Sequence, residues 1–326
     1  MENSSKQISD NPINAIKAMM ILNAFKSLCE KANGYNLVPL KGVSLLSTIY
    51  SERLDREVSD IDLLVFPREK ADKLFQQLIE DGYKTEFPMA LQKDALNSKL
   101  KASMLSPSST LPNVDVHIAL VTKKFFSRSI GTFNDDAIER ATHINGALYK
   151  LDPIDEWLFL AQHAAFHLFT NVKWLIDLEL LLRGFDEKQV DSLLERSRQY
   201  GFDRVVGAAK HHLARLNGDN VKWINRLPET KGLFAKYVRH CDRPLNTKNK
   251  WHKILIDYFE FMCIDSLPKR IKAFASLIFP SIGKMKNIYR STSTILMCLM
   301  YPIHILVMSL ISLIFACYYL TGFLRR

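Results

Sequence analysis

The 326-residue chain has no Cys-x-x-Cys pair, no Asp, Glu, Lys or Arg between Ile295 and Leu320, and no basic track over its first three quarters. Each absence excludes something. The five cysteines, Cys29, Cys241, Cys263, Cys298 and Cys317, are odd in number and scattered. That argues against a disulfide framework or a structural zinc site and fits a reducing cytoplasm. The opening residues, Met1-Glu-Asn-Ser-Ser-Lys-Gln7, lack an apolar signal core, so secretion is not expected. The formal net charge is +10, yet from Pro244 to Arg326 eleven Lys and Arg face three acids, a net +8 that leaves only +2 for the first 243 residues. A nucleic-acid footprint over the N-terminal part is therefore unsupported.

What is present is concentrated between Val38 and Phe66, VPLKGVSLLSTIYSERLDREVSDIDLLVF. The pattern predicts a strand over Leu37 to Leu40, a Lys-Gly turn, a helix from about Val43 to Glu52, a basic loop and a second strand from Ile61 to Phe66. Strand side chains repeat every second residue, so Asp60 and Asp62 leave one face while Ile61, Leu63 and Val65 leave the other. Two carboxylates in one small volume repel each other unless a cation lies between them or one is protonated. Hard oxygen ligands of this kind suit Mg²⁺. The bland alternative is a solvated strand end.

A third acid, Asp115, lies in Asn113-Val-Asp-Val-His-Ile-Ala-Leu120, an alternating run that predicts a neighbouring strand. Ahead of these acids, Asn11-Pro12 opens an amphipathic helix to about Ala32, with Ile13, Ile16, Met20, Phe25 and Leu28 expected on its inner face. Pro67 begins a helix through Asp81 that Gly82 closes. The Ser/Pro-rich stretch from Ser103 to Asn113 reads as a loop.

These blocks resemble the uncharacterised nucleotidyltransferase family within the polymerase β superfamily. The resemblance is carried by Leu40-Lys-Gly42, Tyr50, Arg56, Ser59-Asp-Ile-Asp-Leu-Leu-Val65, Gly82-Tyr83 and Val114-Asp-Val-His-Ile118. His163, His167, Lys173-Trp174 and Asp177 extend it, over roughly residues 15 to 220. The Gly-Ser usual before the helix in the wider superfamily is Lys41-Gly42 here.

The resemblance implies a small mixed sheet, a two-metal Mg²⁺ site on Asp60, Asp62 and Asp115, and a nucleoside triphosphate substrate, ATP first. The acceptor it implies is a hydroxyl of a small molecule, glycan or protein ahead of a nucleic acid. Lys41 and Gly42 sit where exposed N–H groups could meet the triphosphate, although the glycine could serve the turn alone. Arg56 could neutralise phosphate or pair with Glu57 or Asp60.

The alternating pattern ends near Leu151-Asp-Pro153, and a run of helices is expected: Pro153 to Phe169, Trp174 to Arg183, Glu187 to Tyr200 and Asp203 to Leu216. His163 and His167 share a helix face, but Ala164 replaces the Glu of the zinc-protease pattern. They read as a buried pair or as a wall of the cleft. Asp177, an acid among apolar residues, needs a partner such as one of these histidines.

The expected organisation is α/β plus α: a catalytic domain over residues 1–150, an all-helical domain over 151–243, and a basic, apolar helical region over 244–326. Ile295 to Leu320 is long enough to span a bilayer, flanked by Lys284, Lys286, Arg290 and Arg325-Arg326. A buried hairpin and an interfacial helix are the alternatives. This reading places the protein in the cytoplasm on the inner face of the membrane. A non-catalytic, membrane-associated nucleotide-binding scaffold of a surface-polysaccharide pathway is the competing function.

Overall fold

The computed structural model describes residues 12–32, 34–52, 54–85, 101–108, 110–122, 124–127, 129–240, 258–280, 282, 285, 289 and 293–324. The basic stretch from Arg243 to Lys250 and the flanking charges Lys284, Lys286, Arg290, Arg325 and Arg326 lie outside them. The chain divides into two compact units, Met1–Cys263 and Ile264–Arg326.

The first unit is built on a seven-stranded mixed sheet in the order β3-β4-β5-β2-β1-β7-β6. Its strands are β1 (Asn36–Leu40), β2 (Asp60–Phe66), β3 (Lys84–Thr85), β4 (Lys101–Leu105), β5 (Asn113–His117), β6 (Thr142–Asn145) and β7 (Leu148–Lys150). β2 runs antiparallel to β1 and parallel to β5. Ile61, Leu63, Leu64 and Val65 are all at most 1% exposed, so both faces of β2 are covered. A strand buried this completely becomes a rigid mount for the acids at its start.

Helix α1 (Pro12–Lys31) packs on β2 and on α2 (Lys41–Leu46). Its inner stripe is Ala18, Ile21, Phe25 and Leu28, at the three- and four-residue spacing of one helix face. Ile13, Ile16 and Met20, expected inside, are on the opposite side and 43–58% exposed. α2 is six residues long and ends at Leu46 rather than near Glu52. After Arg68–Lys70, α3 (Ala71–Glu80) buries Leu74, Phe75 and Leu78. Gly82 then takes φ +88°, the left-handed conformation expected of a helix stop.

The stretch read as a loop begins later than expected. Ser103, Met104 and Leu105 belong to β4, because β5 offers them a partner that local composition does not reveal. β6 and β7 form a hairpin that closes the far edge, with Leu148 beside Leu37.

The helical half follows the predicted order: α4 (Pro153–Phe166), α5 (Val172–Gly184), α6 (Glu187–Tyr200) and α7 (Asp203–Asn217). Asp152 caps α4 through Ile154 N, with Pro153 at the first helical position. Asn171 caps α5, and Asp186 with Gln189 forms a capping box on α6. Trp157 is fully buried, and its indole donates to Leu178 O at 3.0 Å, joining α4 to α5. Phe126 and Phe133, from the sheet side, pack edge-on or tilted against Phe166 and Phe202 at 4.8–5.3 Å. Such pairs add about 0.5–1.5 kcal/mol each beyond area burial.

In the second unit, α8 (Leu267–Ile278) accompanies α9 (Thr294–Leu324). Thr294–Leu313 is long and apolar enough to cross a membrane and is mostly unburied. Met297 and His304 are buried exceptions, and His304 has Nδ1 at 3.0 Å from Tyr289 Oη and Nε2 at 3.1 Å from Leu277 O.

Candidate active site

The parallel register of β2 and β5 sets Asp62 directly opposite Asp115, and β4 sets Ser103 opposite Asp115 from the other side. Asp62 is 3% exposed. Its Oδ1 receives Lys41 Nζ at 2.6 Å and lies 3.0 Å from His117 Nε2 and 3.9 Å from Lys101 Nζ. Asp115 accepts from Ser103 Oγ and pairs with Lys101. Asp60, at the mouth of β2, accepts from Ser59 Oγ at 3.0 Å and is half-buried. Ligand atoms of Asp62, Asp115 and His117 all lie within 4.8 Å of one another, a span that a single cation can bridge.

Electrostatics separates the two acids of β2. Burial pushes the Asp62 carboxyl up, but the His117 hydrogen bond and the charges of Lys41 and Lys101 outweigh it and hold Asp62 well below the ordinary carboxylate range. Asp60 moves the other way, raised by burial and then by the negative charge of Asp62. Burial lowers His117, and Lys41 and Lys101 push further against the attraction of Asp62, so the imidazole is held toward its neutral form. The repulsion expected of Asp60 and Asp62 thus shows on Asp60, while His117, Lys41 and Lys101 stabilise the charge of Asp62.

Lys41 occupies the strand-to-helix switch with φ +50°, a left-handed conformation disfavoured for a residue with a Cβ. That twist turns its side chain back over β2 to Asp62. Gly42 is needed for close approach: an added Cβ would lie 2.7 Å from Arg56 Nη1 and 2.8 Å from both methyls of Val58. Ser44, on the same short helix, donates to Glu156 of α4, a buried carboxyl raised by its burial.

Arg56 is turned inward. Its Nε donates to Asp177 Oδ1 at 2.9 Å and its Nη2 to Asp177 Oδ2 at 2.7 Å, while Tyr50 Oη donates to the same Oδ1 at 3.0 Å. The partner of Asp177 is therefore Arg56 with Tyr50, not His163 or His167. Both ends of the ion pair are buried. A forked guanidinium satisfies both carboxylate oxygens at once, which a histidine cannot do.

His163 and His167 are two corners of a ring cluster with Trp174, their centroids 4.8, 5.1 and 5.0 Å apart. Burial, followed by Lys41 and His167, lowers His163 well below the usual imidazole range, with Asp62 opposing. The fields that act on His163 thus come from the acid site.

Lys101, Ser103 and His117 were not singled out from the sequence. The signal was present in part: Asp115-x-His117 has the same two-residue repeat as Asp60-x-Asp62, so His117 had to share the face of Asp115. Lys101 and Ser103 needed β4 to be recognised first.

A mixed sheet carrying carboxylates on adjacent parallel strands, with His117 close enough to join them around a metal ion, fits the core of a nucleotidyltransferase. Residues 10–218 match the family described as uncharacterised nucleotidyltransferase, and the chain belongs to it. No curated protein and no solved structure matches the chain.

Proposed function

We propose that this protein transfers a nucleotidyl group from a nucleoside triphosphate, ATP first, to a hydroxyl of a small molecule, glycan or protein. The observation that carries the reading is the Asp62–Asp115 pair across β2 and β5, with Lys41 bonded to Asp62 at 2.6 Å. The donor set fits a divalent cation: Asp60, Asp62 and Asp115 offer oxygen ligands of the kind Mg²⁺ prefers, and His117 adds one nitrogen within the same 4.8 Å cluster as Asp62 and Asp115. Bound Mg²⁺ would supply positive charge to the acceptor oxygen and the triphosphate. Lys41 and Lys101 are the ammonium groups nearest the acids and supply phosphate contacts. Gly42 keeps the backbone tight beneath them. Arg56 acts through position, since its bond to Asp177 fixes the loop that leads into Asp60. The acceptor oxygen attacks the α-phosphorus as its hydroxyl proton is lost to solvent, the bond from the α-phosphorus to the β-phosphate oxygen breaks, and pyrophosphate leaves.

The apolar helix Thr294–Leu313 supports attachment to the inner face of the cytoplasmic membrane. A nucleotide-binding scaffold without turnover is the second reading, favoured by the lysine pairs that already occupy both acids.

Purified full-length protein, labelled nucleotides and Mg²⁺ test both readings, with label transfer to hydroxyl acceptors and pyrophosphate release as readouts. Asp62→Asn and Asp115→Asn are each expected to cut transfer by at least about a hundredfold, as loss of a charge-stabilising group does. Wild-type activity in either variant overturns the assignment, and nucleotide binding without pyrophosphate release selects the scaffold.

A further inference from the structure

Three rings stand at the border of the acid site without a role in it. His163 leaves α4 two turns beyond Glu156, and Glu156 is bonded to Ser44 of the helix that Lys41 opens. Seven residues bring a helical side chain back to the same face, so His163 is carried along the side of α4 that meets α2. Trp174 lies between Lys173 and Asp177 in sequence, and these bind Glu57 at 3.9 Å and Arg56 at 2.7 Å, the two residues that lead toward Asp60. Both helices are thus pinned to the loops that frame the acids, and their rings are pinned with them.

The turn that brings His167 and Trp174 together is itself unusual. Leu168 and Phe169 are consecutive, buried, non-glycine residues at φ +54° and +51°. Left-handed conformations at side-chain-bearing residues persist only where the surroundings over-determine them, and they cluster at functional sites. The cluster is also not sealed: His167 is exposed, and His163 and Trp174 are half-buried.

We propose that His163, His167 and Trp174 form the seat for the nucleobase, receiving the purine or pyrimidine ring by stacking while the phosphates meet Lys41 and the acids. This inference rests on the nucleotidyl-transfer reading and adds the part of the substrate which that reading leaves unplaced. Every base has a π-face, so a seat of aromatic rings selects a heterocycle over none without selecting one base strongly. The trio carries no formal charge while both imidazoles are neutral, so it favours the flat ring over the phosphate tail.

The test separates the ring from the tail. Binding of ATP and of inorganic tripolyphosphate, each with Mg²⁺, is measured by titration calorimetry on detergent-solubilised full-length protein. Wild type is expected to bind ATP more tightly than tripolyphosphate. Trp174→Ala should weaken ATP binding by about tenfold or more and leave tripolyphosphate unchanged, while Trp174→Phe restores most of the difference. His167→Ala, at an exposed position, should act in the same direction without disturbing the fold. Unchanged ATP affinity in both alanine variants overturns the seat, as does equal weakening of ATP and tripolyphosphate. If wild type binds both ligands equally well, the seat alone fails. If it binds neither, the nucleotidyltransferase reading fails and takes the seat with it.

Discussion

Arg56 and Asp177 stand 121 residues apart in sequence and close a two-pronged, buried ion pair across the loop before β2 and the middle of α5. Breaking such a pair from one side leaves an uncompensated buried charge and costs about 3–5 kcal/mol. Asp177→Ala is therefore expected to lower unfolding free energy by that amount in chemical denaturation. Arg56→Met with Asp177→Leu should recover much of the loss, since neither charge then remains buried. A single Asp177 variant as stable as wild type would contradict the buried geometry.

Lys41 joins the acid site to the proposed phosphate site. Lys41→Ala should weaken nucleotide binding by about 1.5–3 kcal/mol, the range for hydrogen bonds to charged groups. The same change leaves Asp62 with His117 and the more distant Lys101, so a modest stability loss should accompany it. An unchanged nucleotide dissociation constant would return Lys41 to service as a counter-ion for Asp62 alone.

His163 makes stability fall on acidification. Its folded pKa lies below the unfolded value of about 6.5, so its contribution is fully present above that pH and is lost as pH falls toward the folded value. Each pH unit inside that window costs up to about 1.4 kcal/mol for one group. Melting temperatures from pH 7.5 down to 5 should decline less steeply in His163→Gln than in wild type. The facing groups are Lys41, Lys101, His167 and Asp62, and parallel slopes in the two proteins would assign the decline to another titrating residue.

Removing residues 294–326 tests the tail. The exposed leucines and isoleucines of Thr294–Leu313, Ile295 at 77% and Leu306 at 71% among them, suit contact with lipid chains. The truncated chain should move from the membrane pellet to the supernatant with transfer to a soluble acceptor intact. A full-length protein that stays in the supernatant without detergent, paired with an aggregating truncation, would make this helix part of a folded core.

The sequence exposed the parts of the site that depend on short-range periodicity. The two-residue repeats of Asp60-x-Asp62 and of Val114, Asp115 and Val116 are local, and so are the helix start at Pro153 and the helix stop at Gly82. Long-range pairing was hidden. Arg56 had two acidic neighbours in sequence and chose neither, because a guanidinium that is 7% exposed needs a carboxylate equally buried. β4 hid behind a Ser/Pro-rich composition, and with it went Lys101, the second cation of the site. In α1, apolar residues lie on two sides of the helix, and only packing decided that the stripe through Ala18, Ile21, Phe25 and Leu28 faces inward.

The sheet order has a consequence for the chain as it is made. β1 lies between β2 and β7, so its second edge stays open until Leu148 leaves the ribosome, and Arg56 has no carboxylate partner until Asp177 follows. At about 5–20 residues per second, the 121-residue gap between Arg56 and Asp177 takes roughly 6–24 s to synthesise. Until Leu148 emerges β1 is an open edge, and until Asp177 emerges Arg56 lacks its carboxylate. Pausing translation between codons 148 and 177 should therefore prolong the period in which the emerging chain is open to chaperones and proteases.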